Sequence, residues 1–318
     1  VKSDCIYDQN YSKGQKYYNT MCIYRCNFQS IIDIFGTGGA LRISITKTVK
    51  TKNIIDGCNF TNCFCQDAGG AISISASSYT YSLINNSIFV NNSANNFAGA
   101  IYFIRANYSF ENCYFLSNHI EITNAEINGG TLYFTDSKGI IKQCEFDSNY
   151  ASHLSKEKYE YFFNYGGTIY LNQVKTIIID CIFTNNTMIM EEIHYRSTSY
   201  YSRGCGAVIY LQKTQCNFTS CNFDQNKGIS IKSMAAYEGG CIYACDHSIV
   251  NFTRCIFINN LISETGKHIS IHFISASGIY IEKINTSIVE CLFQNNTIYS
   301  NASDKLPAVQ CYGAALCL

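Results

Sequence analysis

The chain has no tryptophan, one proline in 318 residues, no surplus of either charge (23 basic against 23 acidic residues) and no run of 18 apolar residues. Each shortage excludes something. Kelch-type propellers also carry Gly-Gly steps, but at about 50-residue periods and usually with a tryptophan. Balanced charge without a basic run gives no footprint for nucleic acid, so neither DNA nor RNA is expected as a partner. Without a long apolar run the sequence holds no transmembrane helix. Runs of Leu, Ala, Glu and Lys are also scarce, and no interval keeps a 3.6-residue period, which argues against the amphipathic helices of a globular α/β fold. The L-x-x-L-x-L signature of leucine-rich repeats is missing as well.

Asn, Ile, Tyr, Ser and Cys are abundant instead, a composition of strands and turns. The stretch 166–186, GGTIYLNQVKTIIIDCIFTNN, displays a unit that recurs along the chain. A glycine step leads into an aliphatic-aromatic-aliphatic strand; a short polar turn comes next, and then Cys-x-Phe-x-x-Asn. Glycine steps begin near residues 38, 69, 98, 129, 166, 205, 239 and 276. The second half recurs at Cys26, Cys58, Cys113, Cys144, Cys181, Cys221, Cys255 and Cys291, with Ser87 substituting once, and the unit returns every 26 to 40 residues. From the first aliphatic residue to Cys the spacing is 12 residues in four copies (from Ile101, Leu132, Ile169 and Ile279) and 13 in two (from Val208 and Ile242), whereas the distance from Asn to the next glycine varies widely.

A fixed arc joined to a variable one is the behaviour of a solenoid coil. The expected fold is all-β: a right-handed, single-stranded parallel β-helix of about nine coils, its hand taken from the strong bias of parallel crossovers. At about 4.8 Å per coil it forms a rod of roughly 40 Å. Side chains alternate between strand faces, so the nine Phe residues should stack inside. Seven asparagines, from Asn92 to Asn296, should form a ladder at the strand end, joining turn backbone groups of successive coils. Residues 1–21 lack the repeat and read as an N-terminal cap; residues 22–318 read as the β-helix, and the closing Cys311-to-Leu316 stretch resembles the opening of another glycine step, so the helix is expected to continue further. Four excursions, at 150–165, 187–204, 227–238 and 261–275, read as projecting loops, the first two rich in Tyr and charge.

Eighteen cysteines divide into eight in the Cys-x-Phe column and ten elsewhere. The column suits small buried hydrophobes. The other ten (Cys5, Cys22, Cys63, Cys65, Cys205, Cys216, Cys241, Cys245, Cys311 and Cys317) are the disulfide candidates, which favours an oxidising compartment. No Cys-x2-Cys pair exists and His268-x3-His272 lies in a strand-like run, so neither a metal site nor a cofactor is expected. Eleven Asn-x-Ser/Thr acceptors occur, about twice the number composition alone gives; Asn91, Asn185 and Asn295 each precede a ladder Asn, and with Asn59 and Asn251 they are the candidate glycosylation sites.

Two further columns bear on function. β-helix enzymes acting on polysaccharides need clustered carboxylates, and the nearest approach is Asp147 and Asp224, separated by Thr184 and flanked by Asp180. Three acids among some two dozen outward positions are also what a solvated surface provides, and Arg254 beside Glu290 reads as a ladder ion pair. The strand after the glycine step places Tyr102, Tyr133, Tyr170, Tyr243 and Tyr280 outward, with Ile209 or Tyr210 between. Either these rings stack to stabilise the sheet, or they form a flat aromatic stripe for glycan or protein contact.

Repeated Gly-Gly-Ala-aliphatic steps, strict at 38–41 and 69–72, together with Phe-x-x-Asn at seven sites from Phe89-Asn92 to Phe293-Asn296, resemble the signature of chlamydial polymorphic outer-membrane proteins and the Pmp-like surface proteins of trichomonad protists. The resemblance covers about 280 residues. It implies a β-helical, adhesive surface protein. The expected function is therefore an extracellular structural or adhesive solenoid glycoprotein, secreted or on the cell surface, with glycans or host and cell-surface proteins as partners and end-to-end self-association as an extension. A polysaccharide lyase or hydrolase and a passive spacer of a longer surface protein are the alternatives.

Overall fold

The computed structural model describes residues 19–45, 50–76, 80–122, 127–155, 163–192, 202–231, 235–265, 273–282, 284–300, 310–312 and 315–317. Every regular element among them is a strand. Four parallel sheets contain nine strands each, and every coil gives one strand to each sheet, so the chain is a nine-coil parallel β-helix. The first sheet runs from Asn19–Tyr24 to Asn285–Val289, and the second, carrying Cys-x-Phe, from Asn27–Gln29 to Leu292–Gln294. The third comes after the ladder Asn, from Ile32–Asp33 to Thr297–Ser300, and the fourth after the glycine step, from Leu41–Ser44 to Leu316–Cys317. A fifth sheet of six short strands, from Ile127–Asn128 to Gln310–Tyr312, is interposed before the glycine step. Most of the region expected to form the cap, residues 1–18, lies outside the described residues.

The strands are short because the chain turns at corners, and each corner holds a residue with positive φ. The residue before every column Cys does so, from Arg25 (49°) through Asp180 (52°) to Glu290 (54°), as does the one before each ladder Asn, from Asn91 (52°) to Asn295 (52°). Side chains other than glycine take this conformation at a cost of about 1–2 kcal/mol. In the Cys column the residue just past the bend helps to hold it, being small and turning a donor back to the carbonyl two positions earlier. Cys181 Sγ lies 3.2 Å from the Ile179 carbonyl, and Ser87 Oγ 2.7 Å from that of Asn85. At the corner between the fourth and first sheets Ser137 and Thr214 do the same, at 2.7 and 2.9 Å. This explains why serine can replace cysteine in the column.

Inside, the nine phenylalanines from Phe28 to Phe293 form one unbroken stack, with neighbouring ring centroids 4.7–4.9 Å apart and planes within 8°. Each buried ring contributes roughly 1.5–3 kcal/mol. Beside them runs the asparagine ladder. Asn186 Nδ2 donates to the Phe146 carbonyl of the previous coil (2.8 Å) and to Asn226 Oδ1 of the next (3.0 Å), while its own Oδ1 accepts from the Asn149 amide and Nδ2 (3.1 and 3.0 Å). The same arrangement repeats from Asn92 to Asn260, joining each corner to its successor.

Three expectations need correction. Among the described residues no disulfide is formed: sixteen cysteines take part in none, and Cys5 and the Cys311 side chain lie outside the described residues. Stacked thiols in this in-register column keep the strand spacing of about 4.8 Å, wider than the ~3.5–4.5 Å between Cβ atoms that a disulfide needs. Most of the others are dispersed over different positions: Cys63 in the ladder column, Cys216 inward on the first sheet, Cys241 at a glycine step. The excursions are not simply loops. Tyr150–Ser155, Thr187–Glu192, Lys227–Ile231 and Leu261–Thr265 extend the third sheet, and Phe163–Tyr165, Ser202–Cys205, Ala235–Glu238 and Phe273–Ser275 build the fifth. Finally, Ile209 pairs with Ile169 and Tyr210 with Tyr170, so Tyr210 takes the tyrosine position and this coil keeps the 12-residue spacing, counted from Ile209; the extra residue lies in the next coil, in a turn at Asp246 and His247, both with positive φ.

The coils are not interchangeable, because a few positions pair a large side chain with a glycine. Tyr108 packs into the space opposite Gly139, and the Tyr237 ring fills that beside Gly204 and Gly228; at Gly139 and Gly228 a Cβ would collide with the ring, and at Gly204 it would press against it.

Candidate functional site

The tyrosine column is real and continuous. Tyr102, Tyr133, Tyr170, Tyr210, Tyr243 and Tyr280 stand in register on the fourth sheet, with ring centroids 4.8–5.5 Å apart. They point away from the core that holds their neighbours Ile101 and Phe103. They are not an open stripe, which corrects the expectation of a flat aromatic surface. Tyr165 and Cys205 of the fifth sheet pack against them, leaving Tyr170, Tyr210 and Tyr243 only 7%, 5% and 1% exposed. Tyr102, Tyr133 and Tyr280 remain half-buried. The variable arc thus covers the rings that the regular arc turns outward.

A polar clamp closes this second, smaller core. Arg203 on the fifth sheet grips the Glu238 carboxylate through Nε (3.0 Å) and Nη2 and donates to the Tyr243 hydroxyl at 2.8 Å. Tyr243 in turn donates to Glu282 at 2.7 Å, and the guanidinium carbon lies 5.5 Å from its ring centre. Burial pushes the Tyr102 and Tyr280 hydroxyls up to about 12 and that of Tyr243 higher still. These phenols stay protonated at neutral pH, so they act as hydrogen-bonding and packing groups. The clamp fastens the fifth sheet to the fourth.

The outer face of the first sheet offers a different environment, a half-open groove of about 320 Å³. One wall is the in-register row Lys138, Lys175, Gln215, Ile249; two residues along each strand, Ile177, Asn217 and Asn251 supply the other. Asn251 Nδ2 donates to Asn217 Oδ1 at 3.0 Å. The lining holds two lysines and no carboxylate. Among the described residues the ion pairs are Lys142 with Glu111 and Arg203 with Glu238 and Glu282, so neither groove lysine is paired. Nor are Arg254 and Glu290, which occupy consecutive positive-φ corners.

The remaining candidates are scattered over the wall. Asp147, Thr184 and Asp224 lie in register, two coil steps or about 10 Å from first to last. Asp147 accepts from Ser148 Oγ at 2.8 Å, Asp224 from Asn259 Nδ2 at 3.1 Å, and Asp180 sits on an exposed corner. Among the described residues no group of three His, Cys, Asp or Glu side chains is placed to hold a metal ion, and no helix is long and apolar enough to cross a membrane; His268 and His272 lie outside the described residues. Of the acceptor asparagines, Asn59, Asn91, Asn185 and Asn295 are exposed and Asn251 half-buried.

No protein-family model matches the chain, and neither a curated protein nor a solved structure does. The groove escaped the sequence reading because its residues come from four coils. The available signal was shared parity in Lys138-Gly-Ile, Lys175-Thr-Ile, Gln215-Cys-Asn and Ile249-Val-Asn, which acquires meaning only with the register in hand.

Proposed function

We propose that the chain is a structural and adhesive solenoid of the cell surface or the secreted space, N-glycosylated on its outer wall and meeting glycans or cell-surface proteins there. One observation carries this reading. All nine described acceptor asparagines are exposed or half-exposed (Asn59, Asn85, Asn91, Asn107, Asn185, Asn217, Asn251, Asn285 and Asn295), whereas the ladder asparagines next to Asn91 and Asn185 are fully buried. Acceptors restricted to the outer wall can carry glycans without disturbing the stack. The resemblance to Pmp-like repeat proteins points the same way, and association of coils end to end between copies belongs to the same proposal.

The test has two arms. Peptide mass spectrometry of protein from its native source should find hexose on Asn91, Asn185 or Asn295; uniformly bare acceptors would remove the extracellular assignment. A glycan-array and cell-surface binding screen of the intact chain, run beside an Asp147, Asp180, Asp224→Asn triple variant, should show binding by both proteins. Polysaccharide cleavage abolished only in the Asp variant would replace the adhesive reading with an enzyme, and neither binding nor cleavage would leave a spacer.

A further inference from the structure

The groove on the first sheet carries charge of one sign only. Lys138 and Lys175 project from paired positions on consecutive coils, about 4.8 Å apart at the backbone, and neither has a carboxylate partner. In line with them Gln215, then Asn217 and Asn251, present amides that both donate and accept. Ile177 and Ile249 are exposed by 40% and 41% and give the groove apolar patches. Its volume, about 320 Å³, lies at the lower end of the ~300–1,000 Å³ of small-ligand sites, and it is half-open to solvent.

Those features together describe a ligand. Stacked ammonium groups call for anionic groups repeated along an extended molecule. Adjacent amides call for hydroxyls, and exposed aliphatic carbon calls for the C–H face of a ring. A nucleic acid brings phosphates and sugar hydroxyls, but the chain has neither net positive charge nor a basic run to attract one. An acidic peptide satisfies the first two but brings no flat apolar face at each anionic unit. We propose that this groove binds a linear acidic saccharide, with carboxylate or sulfate groups on Lys138 and Lys175, ring hydroxyls on Gln215, Asn217 and Asn251, and a pyranose face on Ile177 and Ile249. The inference deepens the adhesive reading and rests on it.

Asn217 and Asn251 each begin an acceptor sequence as well as lining the groove. A glycan on either would fill the site, so the binding form has both bare. Full-length chain from a bacterial host, which does not modify these asparagines, is the appropriate material. Titration calorimetry with oligogalacturonate, a heparin oligosaccharide and a neutral dextran oligosaccharide of matched length distinguishes carboxylate, sulfate and uncharged ligands. Binding of at least one acidic probe, at least tenfold tighter than the neutral one and weakening as salt rises from about 50 to about 300 mM, is the expected result. Lys138→Gln/Lys175→Gln should weaken it about tenfold or more, and Lys227→Gln, on the third sheet, should leave it unchanged. Both variants change exposed side chains, and an unaltered melting curve confirms the fold.

Acidic-saccharide binding that survives in the double variant overturns the groove and leaves the adhesive reading standing. Equal affinity for the neutral probe, or no affinity for any of the three, also overturns it. The adhesive reading itself fails if the glycan array and the cell-surface screen are blank as well, or if the chain cleaves polysaccharide through the Asp residues.

Discussion

Asn185 and Asn186 are chemically identical neighbours in opposite environments, and replacing each in turn isolates the contribution of the ladder. Asn186 is fully buried and its side chain makes four hydrogen bonds to adjacent coils, at 2.8, 3.0, 3.0 and 3.1 Å. Asn186→Ala deprives the buried amide of Asn149 of its ladder acceptor and withdraws a donor from the Phe146 carbonyl, while the ladder breaks at its centre. An unsatisfied buried polar group costs about 1–3 kcal/mol, so two such losses should lower stability by about 3–5 kcal/mol, a large share of the ~5–15 kcal/mol typical of a folded domain. Asn185 is exposed with φ of 55°, and its backbone amide bonds the Asp224 carbonyl at 3.1 Å whatever the side chain. Asn185→Gly, in a conformation glycine adopts freely, should therefore stay within about 0.5 kcal/mol of the parent. Urea unfolding monitored by tyrosine fluorescence and far-UV dichroism gives both midpoints. The substitutions are one residue apart in one coil, so any departure from all-or-none unfolding affects them alike. Hydrogen exchange should show the Asn149 amide losing protection in Asn186→Ala alone. A midpoint for Asn186→Ala within about 1 kcal/mol of that for Asn185→Gly would refute the claim that the ladder holds the coils together.

Phe183→Ala, in the middle of the stack, should cost about 3–5 kcal/mol by urea titration; a loss under about 1 kcal/mol would contradict its placement between Phe146 and Phe223. Gln143, exposed with φ of 52°, is the converse case: Gln143→Gly should raise stability by about 0.5–1 kcal/mol in the same assay and Gln143→Val should lower it. Hydrogen bonding to Cys181, with burial, pushes the Cys221 thiol up to about 12, and burial raises that of Cys144 further. Unfolded thiols ionise near 8.5, so the stability these groups confer is complete below about pH 8.5 and is lost as pH rises towards 12, by up to about 1.4 kcal/mol per unit for each thiol. Thermal midpoints between about pH 7 and pH 10.5 should fall accordingly; a flat profile would exclude the buried thiol column.

The repeated columns were legible in the sequence because one residue type recurs in each of them for a specific reason. An aromatic ring of phenylalanine's size tiles the Phe183 column, and a side-chain amide donates two bonds and accepts two at once in the Asn186 column. Corners were harder to see, because a positive φ at an exposed site is tolerated by Arg25, Gln143, Asp180 and Glu290 alike, and no single residue type marks it. The fifth sheet was invisible for a related reason. Its strands are two to four residues long and share no motif, since they are held by partners such as Tyr170, Tyr210 and Tyr243 as well as by their own periodicity. The tyrosines were correctly assigned to the outward side of the coil, yet the sequence could not reveal that a neighbouring arc would cover them.

A stack whose coils are nearly alike faces a problem of counting. During folding, a coil could dock one place too early, and every Phe and Asn would still find a Phe and an Asn to meet. Tyr108 opposite Gly139, and Tyr237 beside Gly204 and Gly228, make such a slip costly: moved by one coil, the large ring strikes a side chain and the glycine is left facing a void. These few mismatched sizes work as keys in a ratchet of otherwise equal teeth. They give each coil its own address, so the order of the coils along the rod matches the order of the chain.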